Sequence, residues 1–458
     1  MSKSSKRILV EKSEGKSLNK KLTLIPILAL LIKIVIILNI KQSDGSIVGG
    51  WLGADGESYL KGVNGLLLQG YFSDEGVLSY WPAGYPILIW ILCKISVLYV
   101  ILLLSIFQSI FYCLACFVFM RSLTNSIPQP YLIPIALVLS FNPTLSLSSL
   151  VVGYESPVAS CILFLVSIIL LKIEMKHQQK LSVHVLFFGL IAALATFMQP
   201  RYFLTAIVLA IAWAFTYDQR RTQIYVITLA LSLTLIAPAT LIQRNVISIN
   251  NPVISTNLGV TMKLGAGDST TGSYRHTGPE VPCNRPNASQ VNTDGDLVKC
   301  VIQWYISNPE RAVRLFINKS WYFWSPWSGP FSNGTMARNP WLKVNPIVEI
   351  ASNSQDGNDL VYKLVGKCIS VLWVLANLFL LLIGFFYLYS LKGNLRKLSY
   401  LSAIPVLTSL VISAATIGDH RFRVPTMPMS LFLQVVGLLS LGQVLNRFAK
   451  ATRLGKLP

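Results

Sequence analysis

Charge is what this chain has least of. Only 13% of its 458 residues are Asp, Glu, Lys or Arg, against 53% that are hydrophobic. A soluble chain of this length would form two or three cores joined by polar linkers, and the composition excludes that class. Histidine is scarcer still, with four copies, and no His or Cys spacing resembles a zinc site. The Gly265-x-Gly267 pair lacks strand–helix–strand surroundings, so it is no dinucleotide fingerprint. No repeat of 20–50 residues and no low-complexity tract is present, which removes solenoid and linker architectures.

What the chain does have is apolar runs of the length that spans a bilayer, about 17–25 residues. Ten are read, at 22–40, 97–120, 130–147, 155–172, 183–199, 201–217, 223–242, 367–390, 399–416 and 424–442. The fold class that follows is an all-α polytopic membrane protein with one mixed extracytoplasmic domain at 243–366. A Lys-rich tail, 1–21, precedes the first span without a small-residue cleavage site, so an uncleaved signal anchor is expected. That tail reads as lacking fixed structure, and 443–458 as a second basic tail.

The formal charge of +20 suggests nucleic acid until its distribution is read. With the N-terminus cytoplasmic, the inner segments hold 20 Lys and Arg. The short outer segments hold only Lys41, Lys61, Lys94, Arg201, Arg421 and Arg423. Of the 19 acids, only Glu11, Glu14, Glu174 and Asp218 fall inside. This is the positive-inside bias of a multi-pass protein with both ends in the cytoplasm, not a nucleic-acid footprint. Four cysteines (Cys113, Cys116, Cys161 and Cys368) fall in spans and read as small apolar residues, and Cys93 sits near the outer end of the second. Cys283 and Cys300 share the large outer loop, where a disulfide is expected.

Several stretches set local structure. Ser58–Leu68 suits a short interfacial helix, with Trp81 and Tyr85 as anchors. Tyr85–Ser96 is too short to span. A break is expected at Phe141-Asn-Pro143 and a hairpin at Gln199-Pro200-Arg201-Tyr202, with Glu155 opening the fourth span. An amphipathic helix from Asn308-Pro309 to Trp324 should rest on the bilayer. The glycines through 259–272 mark backbone that closely approaches a neighbour.

The polar residues that are costly near a membrane are Asp55, Glu57, Glu155, Arg201, Asp419, His420, Arg421 and Arg423, and all eight fall at outer span ends. Such residues are functional candidates by default. A carboxylate there can take a proton from an attacking hydroxyl, and arginines can hold a phosphate. Each also has a plainer reading: Asp55 and Glu57 as solvated loop residues, Glu155 as a helix-start stabiliser, and the arginines as interfacial anchors.

Five stretches carry a family likeness. They are Asp55-Gly-Glu57-Ser-Tyr59 with Gly70-Tyr71 and Pro82-Ala-Gly-Tyr85-Pro86; Glu155; Gln199-Pro200-Arg201; Ser255-Thr-Asn257-Leu-Gly259 through Gly267 with Thr271-Gly272-Ser-Tyr274; and Asp419-His420-Arg421-Phe-Arg423-Val-Pro425. In this order the chain resembles the GT-C glycosyltransferases, integral-membrane enzymes that use polyprenyl-phosphate-linked sugars, and is similar to protein mannosyltransferases and aminoarabinose transferases. The family's Arg-Pro turn is reversed here, and Gly56 separates acids that are adjacent in some members.

The resemblance implies transfer of a sugar from a polyprenyl-phosphate donor to a glycan, lipid or protein acceptor at the outer face of a bacterial plasma membrane. Asp55, Glu57 and Glu155 are then the catalytic candidates. Tyr59, Arg201, Asn257, Arg275, His420, Arg421 and Arg423 are the substrate-binding ones. Some relatives use a divalent metal and some do not, so a metal cofactor stays open. Two rivals remain: a ligase or polymerase of lipid-linked glycans, and a non-enzymatic transporter of them.

Overall fold

A computed structural model describes residues 3–41, 47–53, 55–174, 181–273, 293–325 and 359–453, together with Cys283. Almost all of it is helix. In chain order the elements are α1 (Lys3–Asn39), β1 (Trp51–Leu52), α2 (Gly56–Gln69), α3 (Val77–Tyr80), α4 (Gly84–Cys93), α5 (Val100–Leu123), α6 (Gln129–Phe141), α7 (Pro143–Ser148) and β2 (Val151–Val152). There follow α8 (Glu155–Glu174), α9 (Leu181–Met198), α10 (Phe203–Ala214), α11 (Arg220–Ile249), α12 (Leu258–Leu264), α13 (Asp294–Ser307) and α14 (Pro309–Trp324). The chain closes with α15 (Asp359–Ser390), α16 (Asn394–Ala415) and α17 (Met427–Arg453). Turns of 3₁₀ helix at Pro200–Tyr202 and His420–Thr426 lead into α10 and α17.

Among the described residues, eight helices are long and apolar enough to cross a bilayer: Lys20–Asn39, Val100–Leu123, Glu155–Ile173, Leu181–Met198, Arg220–Ile249, Val371–Ser390, Asn394–Ala415 and His420–Asn446. The architecture is that of an all-α, multi-pass membrane protein. Large apolar side chains such as Leu24, Leu28, Leu31 and Val35 stand exposed along α1. In water such a stripe would be a liability, whereas lipid accepts it.

Two of the ten expected spans are shorter. The third becomes α6, 13 residues long, because Pro143 cannot donate to the helical ladder and starts α7 instead. The sixth becomes α10, 12 residues long, held between the Pro200 turn and a polar stretch at 217–219. The seventh is longer than expected and carries α11 to Ile249, past the boundary set at 243. The N-terminal tail, expected without fixed structure, continues α1 back to Lys3, in keeping with its Lys, Glu and Leu content. Of the region read as a mixed domain, the described residues are the helices α12 to α14, the connecting loop and a single bridge between Ser273 and Gly418. Cys283 and Cys300 are disulfide-bonded, as expected. Cys116 and Cys161 are buried like apolar residues, but Cys368 is exposed.

α8 is the most enclosed of the eight long helices and packs against α5 and α9. α15 and α17 approach most closely through glycine. A Cβ on Gly384 would collide with the Leu433 carbonyl, and one on Gly437 with the Leu380 carbonyl. Small residues allow helix backbones to approach in lipid, where no hydrophobic effect drives them together. Gly437→Val should force the pair apart, lowering stability by about 1–3 kcal/mol. A lowered melting temperature of the detergent-purified protein checks this, and unchanged melting would contradict the packing.

Candidate functional site

Two short strands assemble the site. β1 and β2 pair in parallel, Trp51 with Val151 and Leu52 with Val152. Each strand is followed at the same interval by a Gly and then an acid: Gly53 and Asp55 after β1, Gly153 and Glu155 after β2. The ladder thus brings two carboxylates to equivalent places, Asp55 at the N-cap of α2 and Glu155 at the first residue of α8. Gly153 is needed there, because a Cβ would overlap the Glu155 carboxylate. Tyr85 on α4 braces the same turn: its hydroxyl accepts from the Gly153 amide at 2.8 Å and donates to Gln108 at 3.3 Å. Gln108 in turn donates to the carbonyls of Ser149 and Val151.

Arg421 lies between the two acids. Its Nη1 donates to Asp55 Oδ2 at 2.7 Å and its Nε donates to Glu155 Oε1. Its side chain is 4% exposed, against 13% for Asp55 and 11% for Glu155. Asp419 fixes the backbone, accepting from the Arg421 amide at 2.8 Å. Asp55 makes no side-chain cap to α2, so its carboxylate is turned to Arg421. Tyr59, one turn further along α2, packs edge-on to Tyr85, with ring centroids 5.0 Å apart. Burial, and then the Asp55 carboxylate, push its phenol well above the usual range, so it remains protonated.

A cavity of about 450 Å³ is connected to this cluster through the Tyr154 ring. Trp81 and Pro82, Gln199 to Arg201, the 253–261 loop with Asn257, and Thr416 at the end of α16 all contribute to its wall. Arg201 links cavity and cluster. Its guanidinium lies 3.9 Å from the Phe422 ring centroid and 6.0 Å from that of Tyr154, whose ring is 5.5 Å from Arg421. Arg201 Nη1 is buried and has no hydrogen-bond partner among the described residues.

The candidate residues divide accordingly. Asp55, Glu155, Tyr59 and Arg421 meet in one cluster, and Arg201 and Asn257 line the adjoining cavity. Glu57 is exposed on α2 and makes no bond to the cluster among the described residues. Arg421 and Arg423, expected at a lipid phosphate, are occupied within the protein. Arg421 holds the two acids, while Arg423, 3% exposed, donates to the Trp324 carbonyl at 3.1 Å and lies over the Trp324 ring. His420 is fully buried, with Nδ1 4.0 Å from Asp419. Arg275 lies outside the described residues.

Sequence reading missed four contributors. Arg244 on α11, 1% exposed, donates to the carbonyls of Ser73 and Leu78, while Asn245 donates to those of Val253 and Ile254. Together they join the first loop to the cavity wall. Asp294 at the start of α13 faces the cavity and accepts from the Gly259 amide at 2.6 Å. Lys319 on α14 is what the glycine-rich loop approaches: Gly265, Gly272 and Gly418 all lie against it, and the Gly418 amide donates to the Gly272 carbonyl at 2.9 Å. The loop's glycines serve the protein's own packing around this lysine.

As to a metal, no three His, Cys, Asp or Glu side chains converge among the described residues. The two carboxylates that do meet are engaged by a guanidinium, so these residues do not fit a divalent-cation site. No family profile matches the chain. No curated protein matches it in sequence either.

Lys319 donates to the Tyr305 hydroxyl at 2.7 Å, and burial lowers its pKa from 10.5 to about 7. The unfolded chain therefore binds one more proton between pH 7 and 10.5, and stability should rise with pH across that window. Lys319→Met should flatten this contribution, whose slope is at most about 1.4 kcal/mol per pH unit. Detergent melting curves of both proteins from pH 7 to about 10 measure it, and identical slopes would contradict a buried neutral lysine.

Proposed function

We propose that this chain is a membrane glycosyltransferase that moves one sugar from a polyprenyl-phosphate-linked donor to an acceptor hydroxyl at the outer face of the membrane. The observation that carries this reading is the Asp55–Arg421–Glu155 cluster, joined through the Tyr154 ring to a cavity lined by Arg201, an arginine with a buried donor that has no hydrogen-bond partner among the described residues. Outer placement is supported by the loop charges and by the Cys283–Cys300 disulfide, a bond that persists in oxidising compartments.

In this reading Asp55 is the base. Its side chain is partly exposed, and its orientation is held by Arg421. The acceptor oxygen forms a bond to the anomeric carbon as Asp55 takes the hydroxyl proton. The bond from that carbon to the phosphate oxygen breaks, and the polyprenyl phosphate leaves with the electron pair. Attack from the face opposite the leaving group inverts the anomeric centre. Arg201 replaces Arg421 and Arg423 as the residue for the departing phosphate, because it lines the cavity and is not engaged by a carboxylate among the described residues. Glu155 acts through Arg421 as a positioning residue. The chemistry is routed through no metal.

A transporter would place charged or broken helices at mid-membrane. Here the acidic and guanidinium groups among the described residues gather near the ends of helices. Lys172 lies in the last turn of its helix and Arg244 near the end of its own, while Lys33 is buried deeper within a span, 4.6 Å from the Tyr112 ring centroid.

The test is glycan composition of cells carrying Asp55→Asn, compared with wild type and with a deletion, alongside immunoblots of the membrane fraction. Asp55→Asn at wild-type abundance should lose the same sugar as the deletion, with residual transfer reduced by about 10²–10⁴-fold, the usual contribution of a general base. Wild-type glycan in that strain would remove Asp55 from the chemistry and favour a ligase that needs no first-loop acid.

A further inference from the structure

The cavity contains a second charge that the reaction above leaves unused. Asp294 faces the same space as Arg201, yet among the described residues the two form no ion pair. Each is held in place by its own contact within the protein. Asp294 is fixed by the Gly259 amide, in a junction so close that a Cβ on Gly259 would overlap the Asp294 carbonyl. Arg201 is fixed by its stack on Phe422, 3.9 Å away. The cavity is therefore preformed and dipolar. A ligand that satisfies both ends carries an anion at one and a proton donor at the other.

We propose that Asp294 is the sugar-specificity residue of this site, accepting hydrogen bonds from hydroxyl groups of the donor's sugar while Arg201 holds its phosphate. The inference rests on the transferase reading. Trp81 lines the same cavity, and an indole ring is a surface against which the C–H face of a sugar ring can lie. The volume of about 450 Å³ falls in the range of small-molecule sites, about 300–1,000 Å³, and suits a sugar phosphate head with its lipid chain outside. Partial burial raises the pKa of Asp294 while the backbone amides of Gly259 and Val260 oppose the rise, the pattern of a carboxylate with incomplete hydration. A carboxylate meeting vicinal hydroxyls can replace that missing water.

The experiment uses the full chain in lipid nanodiscs and two kinds of probe: farnesyl phosphate, and farnesyl phosphate carrying glucose, mannose or galactose. Wild type should bind at least one of the sugar-bearing lipids more tightly than farnesyl phosphate. Asp294→Asn keeps the acceptor for the Gly259 amide and should melt as wild type does. It should lose about 10-fold or more in affinity for the sugar-bearing lipid, the scale of one charge-assisted hydrogen bond. Its affinity for farnesyl phosphate should stay equal or increase, because a negative charge near the phosphate has been removed. Trp81→Leu should likewise weaken the sugar-bearing lipid alone.

This opposite movement separates a sugar contact from a structural role, which would weaken both probes together. Equal losses for both probes in Asp294→Asn, or no loss for either, would overturn the assignment. So would wild type that binds all probes equally, while leaving Arg201 as the phosphate residue. Wild type that binds none of them would overturn the transferase reading and this inference with it.

Discussion

One guanidinium shared by two carboxylates is the constraint on which the rest of the site depends. Arg421 is 4% exposed and its partners little more, so three ionised groups are withdrawn from water together. Such burial is tolerated only when geometry supplies the hydrogen bonds that water would have made. Arginine can meet two acids at once because its donors form a rigid planar fork, which a lysine ammonium does not. The parallel β1–β2 ladder sets the spacing of the acids, and the Asp419 cap sets the arginine. Arg421 thereby ties the first loop, the start of α8 and the segment before α17 into one unit.

Glycine makes that unit compact. Gly153 leaves room for the Glu155 carboxylate, Gly259 for Asp294, Gly265 for the Thr416 carbonyl beside Lys319, and Gly272 and Gly418 for Lys319 itself. Gly272 alone of these five sits at a positive φ, +91°, where a side chain would also strain the backbone. The remaining four act through space. Around Gly259 and Gly272 this close backbone approach adds to the apolar packing of Met262, Val301, Trp304 and Leu315.

Much of this was legible in the sequence, for local reasons. Pro143, Pro200 and Pro309 mark the starts of helices because a missing N–H costs nothing in the first turn. Glu155 at the head of α8 and the short helix after Asp55 follow from the same kind of signal. Partnership was not legible. Arg421 and Arg423 differ by two residues and read alike, yet one meets two acids and the other a carbonyl and an indole ring. Asp294 reads as an ordinary helix-start acid, and Lys319 as one more cation on an amphipathic helix. Burial, which depends on segments far away in the chain, distinguishes them. One signal was present and local: the matching Trp-Leu-Gly-Ala-Asp and Val-Val-Gly-Tyr-Glu stretches at 51–55 and 151–155, two apolar residues, a glycine and then an acid. Parallel pairing turns that likeness into a site.

The measurement that tests the account most directly is a stability cycle on the cluster itself. Detergent melting would compare wild type, Arg421→Met, the Asp55→Asn/Glu155→Gln pair, and the three changes combined. Arg421→Met alone leaves two buried carboxylates unpaired and should lose about 3–5 kcal/mol. The combined variant removes those charges as well, so it should recover most of that loss instead of adding to it. Strictly additive losses would contradict the account, because they would mean that the three side chains do not share one buried electrostatic site.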